Sequence, residues 1–386
     1  MLSHKFGFGK KRQFVFTGNS RETILCELIR SASGHASTLN ILARAEGKPV
    51  DDVTLHRLTS SVTDIRGQLF ITLPLNFFET VSLTIPAMAE EAVSRALPYH
   101  LAKVIDKPLQ NFIYDWQITQ RLKDSLHVCA YLFPVRVYNK LDREFSRKQL
   151  EIKAFEPDVF SAFAYLEQFS RFSGDDVVLC VLIWPKFISQ AVFEKGKLKL
   201  VRMVTVNQPE TPFSEECLPA EVPETEESHK SGADRPEDII SPSLAQLQEE
   251  QAPSDQQQPD QDRGSSILDE FQLVSADEAV DAPSPSSDLP RPEPEPFAPP
   301  ILNEWITYID DINLEIIRTR DYYTTVQKGA DVGKVFVGGA EDFFSSLRNI
   351  IRSSADIEIA GLSEQTPDQD MSMLQYAICI GSGSRW

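Results

Sequence analysis

Between Asn207 and Pro300 the chain has a composition that does not support folding. This stretch holds 23 Asp and Glu against 4 Lys and Arg, and 16 of the 25 prolines of the chain. Its formal charge of −19 equals that of the full 386 residues, so the rest of the chain is electrically balanced. Such a segment has too little apolar surface, and too much self-repulsion, to offset the entropy of ordering it. It is expected to be a disordered acidic, Pro-rich insertion. As a flexible coil its 94 residues would span roughly 50–60 Å, and further with charge repulsion. The insertion separates an N-terminal block, 1–206, from a C-terminal block, 301–386.

The acidity of the chain therefore says nothing about its folded surface. No basic stripe is visible that would track a phosphate backbone, so nucleic acid is not an expected partner. The one basic run, Lys5, Lys10, Lys11 and Arg12, reads as a solvated tail. The longest apolar run, Val177–Trp184, is too short to span a bilayer and reads as a buried strand. No apolar segment follows the basic N-terminal residues as a signal peptide would require. The five cysteines, Cys26, Cys129, Cys180, Cys217 and Cys379, are scattered. With no metal or redox spacing among them, they suit a reducing cytoplasm, and no metal is expected.

In the N-terminal block, Phe14–Phe16 and Ile24–Ile29 flank Thr17-Gly18-Asn19-Ser20, a hairpin pattern in which Gly and Asn permit positive φ. Thr38–Ala43, Gln68–Leu73 and Phe77–Ile85 are further strands, and all five are expected in one mixed sheet. Residues 88–107 have helical periodicity, with Pro98 expected to kink or split the helix. Strands at Asn111–Thr119 and Leu126–Phe133, a helix at Pro134–Gln149, a strand at Leu150–Phe155 and a helix at Pro157–Phe169 follow. Val177–Ile183, Ile188–Phe193 and Leu198–Val206 then form a meander that cannot cover both its faces alone. The C-terminal block supplies what is missing: a long amphipathic helix over Ile301–Gln327, a strand at Lys334–Val337 ending in Gly338-Gly339, a helix at Asp342–Ile351, a strand at Ile357–Ala360 and a helix at Met371–Cys379. The reading is α/β with mixed sheets, as two duplicated domains. The first covers 1–175, with a small inserted subdomain at about 86–155. The second joins 176–206 to 301–386.

That duplicated plan resembles the actin-like ATPase superfold of actin and hexokinase. Six segments, in order, resemble the PilM family of type IV pilus assembly proteins. They are LPLNFFETVSLTIPAMAEEAVSRAL (73–97), FIYDWQI (112–118), LHVCAYLFPVRVYNKL (126–141), LEIKAFEPDVFSAFAYLEQ (150–168), LNEWITYIDDINLEIIRTRDYY (302–323) and GKVFVGGAEDFFSSLRNII (333–351). The cytoplasmic domain of the type II secretion protein GspL is related. The match spans most of both folded blocks and none of 207–300.

An actin-like ATPase cradles phosphate between two hairpins that usually carry Asp-x-Gly, the Asp serving Mg²⁺ and the Gly letting backbone N–H groups approach. Here the first hairpin keeps Gly18, Asn19 and Ser20 but has Thr17 near the Asp position. The second turn reads Trp184-Pro185, and Pro has no N–H to donate. The nucleoside-side element, Gly338-Gly339, is present. The acidic insertion stands where ATP-binding members carry a small lobe. The resemblance thus implies degenerate nucleotide-site positions, no cofactor and no catalysis: a cytoplasmic scaffold, peripheral at a bacterial inner membrane. It would bind the N-terminal cytoplasmic peptide of a bitopic PilN-type membrane protein and couple to the motor ATPase. An active ATPase with bound ATP and Mg²⁺ is the alternative, and an Asp or Glu close to Gly338-Gly339 would favour it. A small-molecule kinase would need a catalytic Asp and two intact phosphate loops.

By the same resemblance the partner groove lies beside Phe112, Tyr114, Trp116, Tyr131 and Phe133, which alternate on adjacent strands and are expected on one surface. Singly, each also reads as core. Within the insertion, Ser266–Val274 is an apolar island in which Ile267, Leu268 and Phe271 would share one side of a docking helix.

Overall fold

The computed structural model describes residues 11–30, 36–63, 65–213, 300–354, 357–363 and 371–385. The disorder expected of the insertion, and its Ile267, Leu268 and Phe271 motif, lie outside the described residues apart from 207–213.

The first sheet has the order β3-β2-β1-β4-β8, from β1 (Gln13–Gly18), β2 (Glu22–Arg30), β3 (Ala36–Glu46), β4 (Gly67–Leu73) and β8 (Leu150–Pro157). The second has the order β11-β10-β9-β12-β13, from β9 (Val177–Trp184), β10 (Phe187–Glu194), β11 (Lys197–Thr205), β12 (Lys334–Gly338) and β13 (Glu358–Gly361). Each sheet is an antiparallel meander of its first three strands, extended by two parallel strands on the side of the first. The duplication therefore holds strand for strand, in an actin-like fold. β12 pairs directly with β9 across the insertion, so strands from both blocks share one sheet.

Strand Phe77–Ile85 departs from expectation. As β5 (Glu79–Pro86) it leaves the first sheet and pairs with β7 (Ser125–Pro134), which in turn pairs with β6 (Phe112–Arg121). β8 takes its place beside β4. Hence Leu150–Phe155, expected at the end of the insert, belongs to the main sheet, and α3 (Val135–Ser146) buries Leu141 and Phe145 in that sheet's core. The sequence of β5 alternates equally well for either sheet; only pairing distinguishes them.

Helix α2 (Glu90–Leu101) covers the small sheet through Val93, Leu97 and Leu101. It runs unbroken through Pro98 and stops one turn later, short of the expected residue 107. α1 (Asp52–Ser60), absent from the sequence reading, buries only Thr54, Leu55, Leu58 and Thr59, too few apolar positions to register as periodic. α5 (Pro300–Asp321) buries Trp305, Ile309, Ile312 and Ile316 on the second sheet, at helical spacing. A π-turn, Tyr322–Val326, replaces its expected last turn and brings the Tyr323 hydroxyl to donate to Glu194 at 3.0 Å. α6 (Phe344–Ser354) follows β12.

Two helices join the halves. α4 (Asp158–Gln168) is buried along nearly its whole length and packs on β9 and β10 as well as on β4 and β8. α7 (Met373–Arg385), longer than expected, comes from the C-terminal block yet packs on α4 and on β1, β3 and β4 of the first sheet. One apolar core therefore runs from Leu28 and Phe163 to Trp184, Phe193 and Ile378. The approach is close enough that a Cβ on Gly381 would sit 1.8 Å from the Ser161 carbonyl oxygen.

Candidate functional site

Of the two hairpins that would cradle phosphate, the second reaches the N-terminus of α4 through Trp184 and Asp158. In the first, the Asn19 carboxamide oxygen accepts from the Arg21 and Glu22 amides at 2.7 and 3.0 Å. The turn thus satisfies its own N–H groups. Gly18 is required by close approach, since a Cβ there would lie 2.8 Å from Thr23 Oγ1. Thr17 is buried, and its hydroxyl has no partner among the described residues. Ser20 is exposed.

In the second hairpin the Trp184 indole is buried, and its Nε1–H donates to Asp158 Oδ2 at 2.8 Å. Ser189 Oγ donates to the same oxygen at 3.4 Å, and the Val159 amide to Oδ1 at 2.9 Å. Asp158 is the first residue of α4 and fully buried. Burial pushes its carboxyl up to about 7, against the opposing pull of these donors. A carboxylate at the strand–helix junction beside the second hairpin is thus engaged by indole, hydroxyl and backbone.

The neighbouring carboxylate is also engaged. Glu156 accepts from Ser161 Oγ at 2.6 Å and from Arg385 Nη1 at 3.0 Å. Thr72 Oγ1 lies 3.0 Å from Ser161 Oγ and donates to Ser382 Oγ at 2.9 Å, which carries the network onto α7. Sequence reasoning placed Trp184 at the second turn but none of Thr72, Glu156, Asp158, Ser161 or Arg385 at the site. The signals were the acidic pair flanking Pro157 at a strand–helix junction and a Trp whose N–H, once buried, needs an acceptor.

Gly338 and Gly339 end β12. Gly339 has φ +85°, and a Cβ there would lie 2.1 Å from the Ile183 carbonyl oxygen, so no other residue fits. Beside them a pocket of about 740 Å³ is lined by Glu341, Arg348, Arg352, Glu358 and Ser363. Glu341, two residues past Gly339, accepts from the Leu374 amide at 3.2 Å in the first turn of α7. An acidic residue therefore does stand close to the Gly pair, in the role of a helix N-cap.

The five aromatic residues expected on one surface are divided by register. Phe112 pairs with Pro134, Tyr114 with Leu132 and Trp116 with Ala130, so these three share the face covered by α2. Tyr131 and Phe133 fall on the opposite face, turned towards the main body. The assumption that alternation on both strands gave one surface overlooked the odd–even offset of the pairing. Between that second face and β8 lies a crevice of about 310 Å³, lined by Ile113, Asp115, Tyr131, Phe133, Phe155 and Phe160 among others. The Phe133 ring lies tilted against Phe155 at 4.2 Å, and Tyr131 meets Phe160 edge-on at 5.3 Å. Burial raises the Tyr131 hydroxyl well above its ordinary pKa.

Among the described residues no helix is long and apolar enough to cross a membrane, and no group of His, Cys, Asp and Glu is arranged to hold a metal. No protein-family model and no curated protein matches the chain. Among solved structures it is similar to a PilM–PilN type IV pilus biogenesis complex, at 12% identity and a TM-score of 0.56, covering 98% of this chain and 99% of that one. It is also similar to the cytoplasmic domain of EpsL, an inner-membrane component of the type II secretion system of Vibrio cholerae, at 14% identity and a TM-score of 0.33, over 51% of this chain and 71% of that one.

Proposed function

We propose that this protein is a non-catalytic scaffold in the inner-membrane assembly platform of a bacterial type IV pilus or type II secretion machine. Two things support the placement in such a machine: the order of the PilM-like segments along the chain and a shared fold along nearly its full length with a protein of a PilM–PilN complex. The observation that carries the absence of catalysis is the Trp184–Asp158 hydrogen bond. It sets an indole where the second hairpin would present backbone N–H groups to phosphate, and it engages the carboxylate best placed to serve Mg²⁺ or water. The protein acts from the cytoplasmic side, held peripherally at the membrane by a PilN-type bitopic partner, and passes that attachment to the motor ATPase.

The partner's cytoplasmic peptide lies in the crevice between the small sheet and β8. Its apolar walls and few polar groups suit a short amphipathic segment. Peptide capture tests this with the N-terminal cytoplasmic tail of a PilN-type bitopic protein. Asp115 on β6 and Lys153 on β8 both line the crevice, and reversing them together, Asp115→Arg with Lys153→Glu, is expected to weaken capture at least tenfold. Unchanged capture would remove the crevice as the site.

A second reading, an ATP-binding switch, is favoured by Glu341 and by the arginine-lined pocket at Gly338-Gly339. Titration calorimetry with Mg-ATP separates the two. The scaffold gives no heat at micromolar nucleotide, and clear micromolar binding would overturn it.

A further inference from the structure

Three of the nine large apolar side chains that stand exposed among the described residues lie on α5 and the π-turn that ends it. They are Leu314 at 42%, Tyr322 at 45% and Val326 at 62%. The inner face of α5 is already committed to the second sheet through Trp305, Ile309, Ile312 and Ile316. On the outer face Asp310, Leu314, Ile317 and Asp321 recur at steps of four, three and four, so they form one stripe, with Tyr322 beside it. The π-turn Tyr322–Val326 rotates less per residue than an α-helix does, which brings Val326 back towards the line of Leu314.

The unmet charge on this face has one sign. Asp310, Asp311 and Asp321 are exposed and make no ion pair among the described residues. The neighbouring cations are taken: Arg318 by Glu315 at 2.6 Å and Arg320 by Asp331 at 3.1 Å. From Asp310 to Asp321 the stripe runs about 16 Å, an apolar seam with carboxylates at both ends.

We propose that this face docks a basic amphipathic helix of a partner protein. The apolar side of that helix packs on Leu314, Ile317, Tyr322 and Val326, and its Lys and Arg flanks meet Asp310, Asp311 and Asp321. Charge argues against the other occupants. An anionic bilayer and the acidic insertion would both be repelled by the three carboxylates. A second copy of this chain, packed about a two-fold axis, would set Asp310 against the Asp321 of its partner. None of these residues lines the crevice at β8, so failure here would leave the proposed function standing.

The test uses the full chain and a fluorescein-labelled amphipathic peptide of about five helical turns, with a leucine seam and lysine flanks, read by anisotropy. The same residues in scrambled order are the comparison, because the acidic insertion attracts any cationic chain. The seam peptide is expected to bind at least tenfold more tightly than the scrambled one. Leu314→Ser with Val326→Ser should abolish that difference. Asp310→Asn with Asp321→Asn should weaken the seam peptide severalfold and flatten its salt dependence. All four side chains are exposed, and unchanged melting curves verify that both variants are folded. Three outcomes overturn the proposal. They are equal binding of the two peptides, seam-peptide binding indifferent to Leu314→Ser with Val326→Ser, or a dimer in sedimentation velocity that this variant abolishes, which would give the face to a second copy.

Discussion

At the scale of single residues, Asp158 is the side chain with the most to report. Its carboxyl is fully buried and pushed up to about 7, above the 3.8 of a free aspartate. The folded protein therefore holds this proton more tightly than the unfolded chain does. The stability it contributes is complete below about pH 4 and is lost as pH rises through about 7. At roughly 1.4 kcal/mol per pKa unit the loss is on the order of 4 kcal/mol. Urea melts of wild type and Asp158→Asn across that window should differ in slope, the variant being flatter. Parallel slopes would show that another group carries the pH dependence. Trp184→Phe removes a donor that favours the charged form, so it should cost more at pH 8 than at pH 5, by about 1–3 kcal/mol for an unsatisfied buried acceptor. An equal cost at both values would mean that the indole acts only by packing.

At the scale of elements, the contact between α4 and α7 is what joins the halves. A Cβ on Gly381 would meet the Ser161 carbonyl carbon and oxygen, backbone atoms that move only if the helices separate. A Cβ on Gly383 would meet the tip of the Leu28 side chain, which can rotate away. Gly381→Ala is therefore expected to destabilise by about 1–3 kcal/mol, as overpacking does. Gly383→Ala should be near neutral, because the better helix former offsets the repacking. Thermal melts of the two variants give the comparison, and a reversed order would place the tight contact elsewhere. Neither glycine stood out in the sequence. The helices themselves were legible, because apolar residues recur along α4 and α5 at 3.6-residue spacing. What the period leaves open is the partner. The same alternation that marks Glu79–Pro86 as a strand fits the first sheet and the small sheet equally, and the offset that separates Trp116 from Tyr131 exists only in the pairing. The Asp158–Trp184 bond escaped for a related reason. Its partners are 26 positions apart, and each belongs to a segment that reads as plain core.

At the scale of the whole molecule, the entry and exit of the acidic insertion are anchored close together. The Trp305 indole donates to the Thr211 carbonyl at 3.1 Å, and its ring meets that of Phe213 edge-on at 5.3 Å. The first residues of the insertion, expected to be disordered from Asn207 on, thus pack as far as Phe213 on the second turn of α5. A short connection would span this distance without strain. Loop closure scales as about (3/2)RT ln n, so replacing residues 214–299 with eight Gly and Ser residues should stabilise the fold by roughly 2 kcal/mol. The cores on both sides of the cut are formed by the described residues alone, among them Trp305, Ile309 and Ile312 against Val177 and Leu179. The shortened chain should therefore melt in one transition at or above the wild-type temperature. Its nucleotide titration and its capture of the bitopic partner's tail should both be unchanged, because the cut leaves in place Val206 and Gln208, whose amides donate to the Lys186 and Pro185 carbonyls of the second turn. A fall in melting temperature, or two transitions, would mean that the acidic segment contributes to the folded body and that charge composition misled the reading of it.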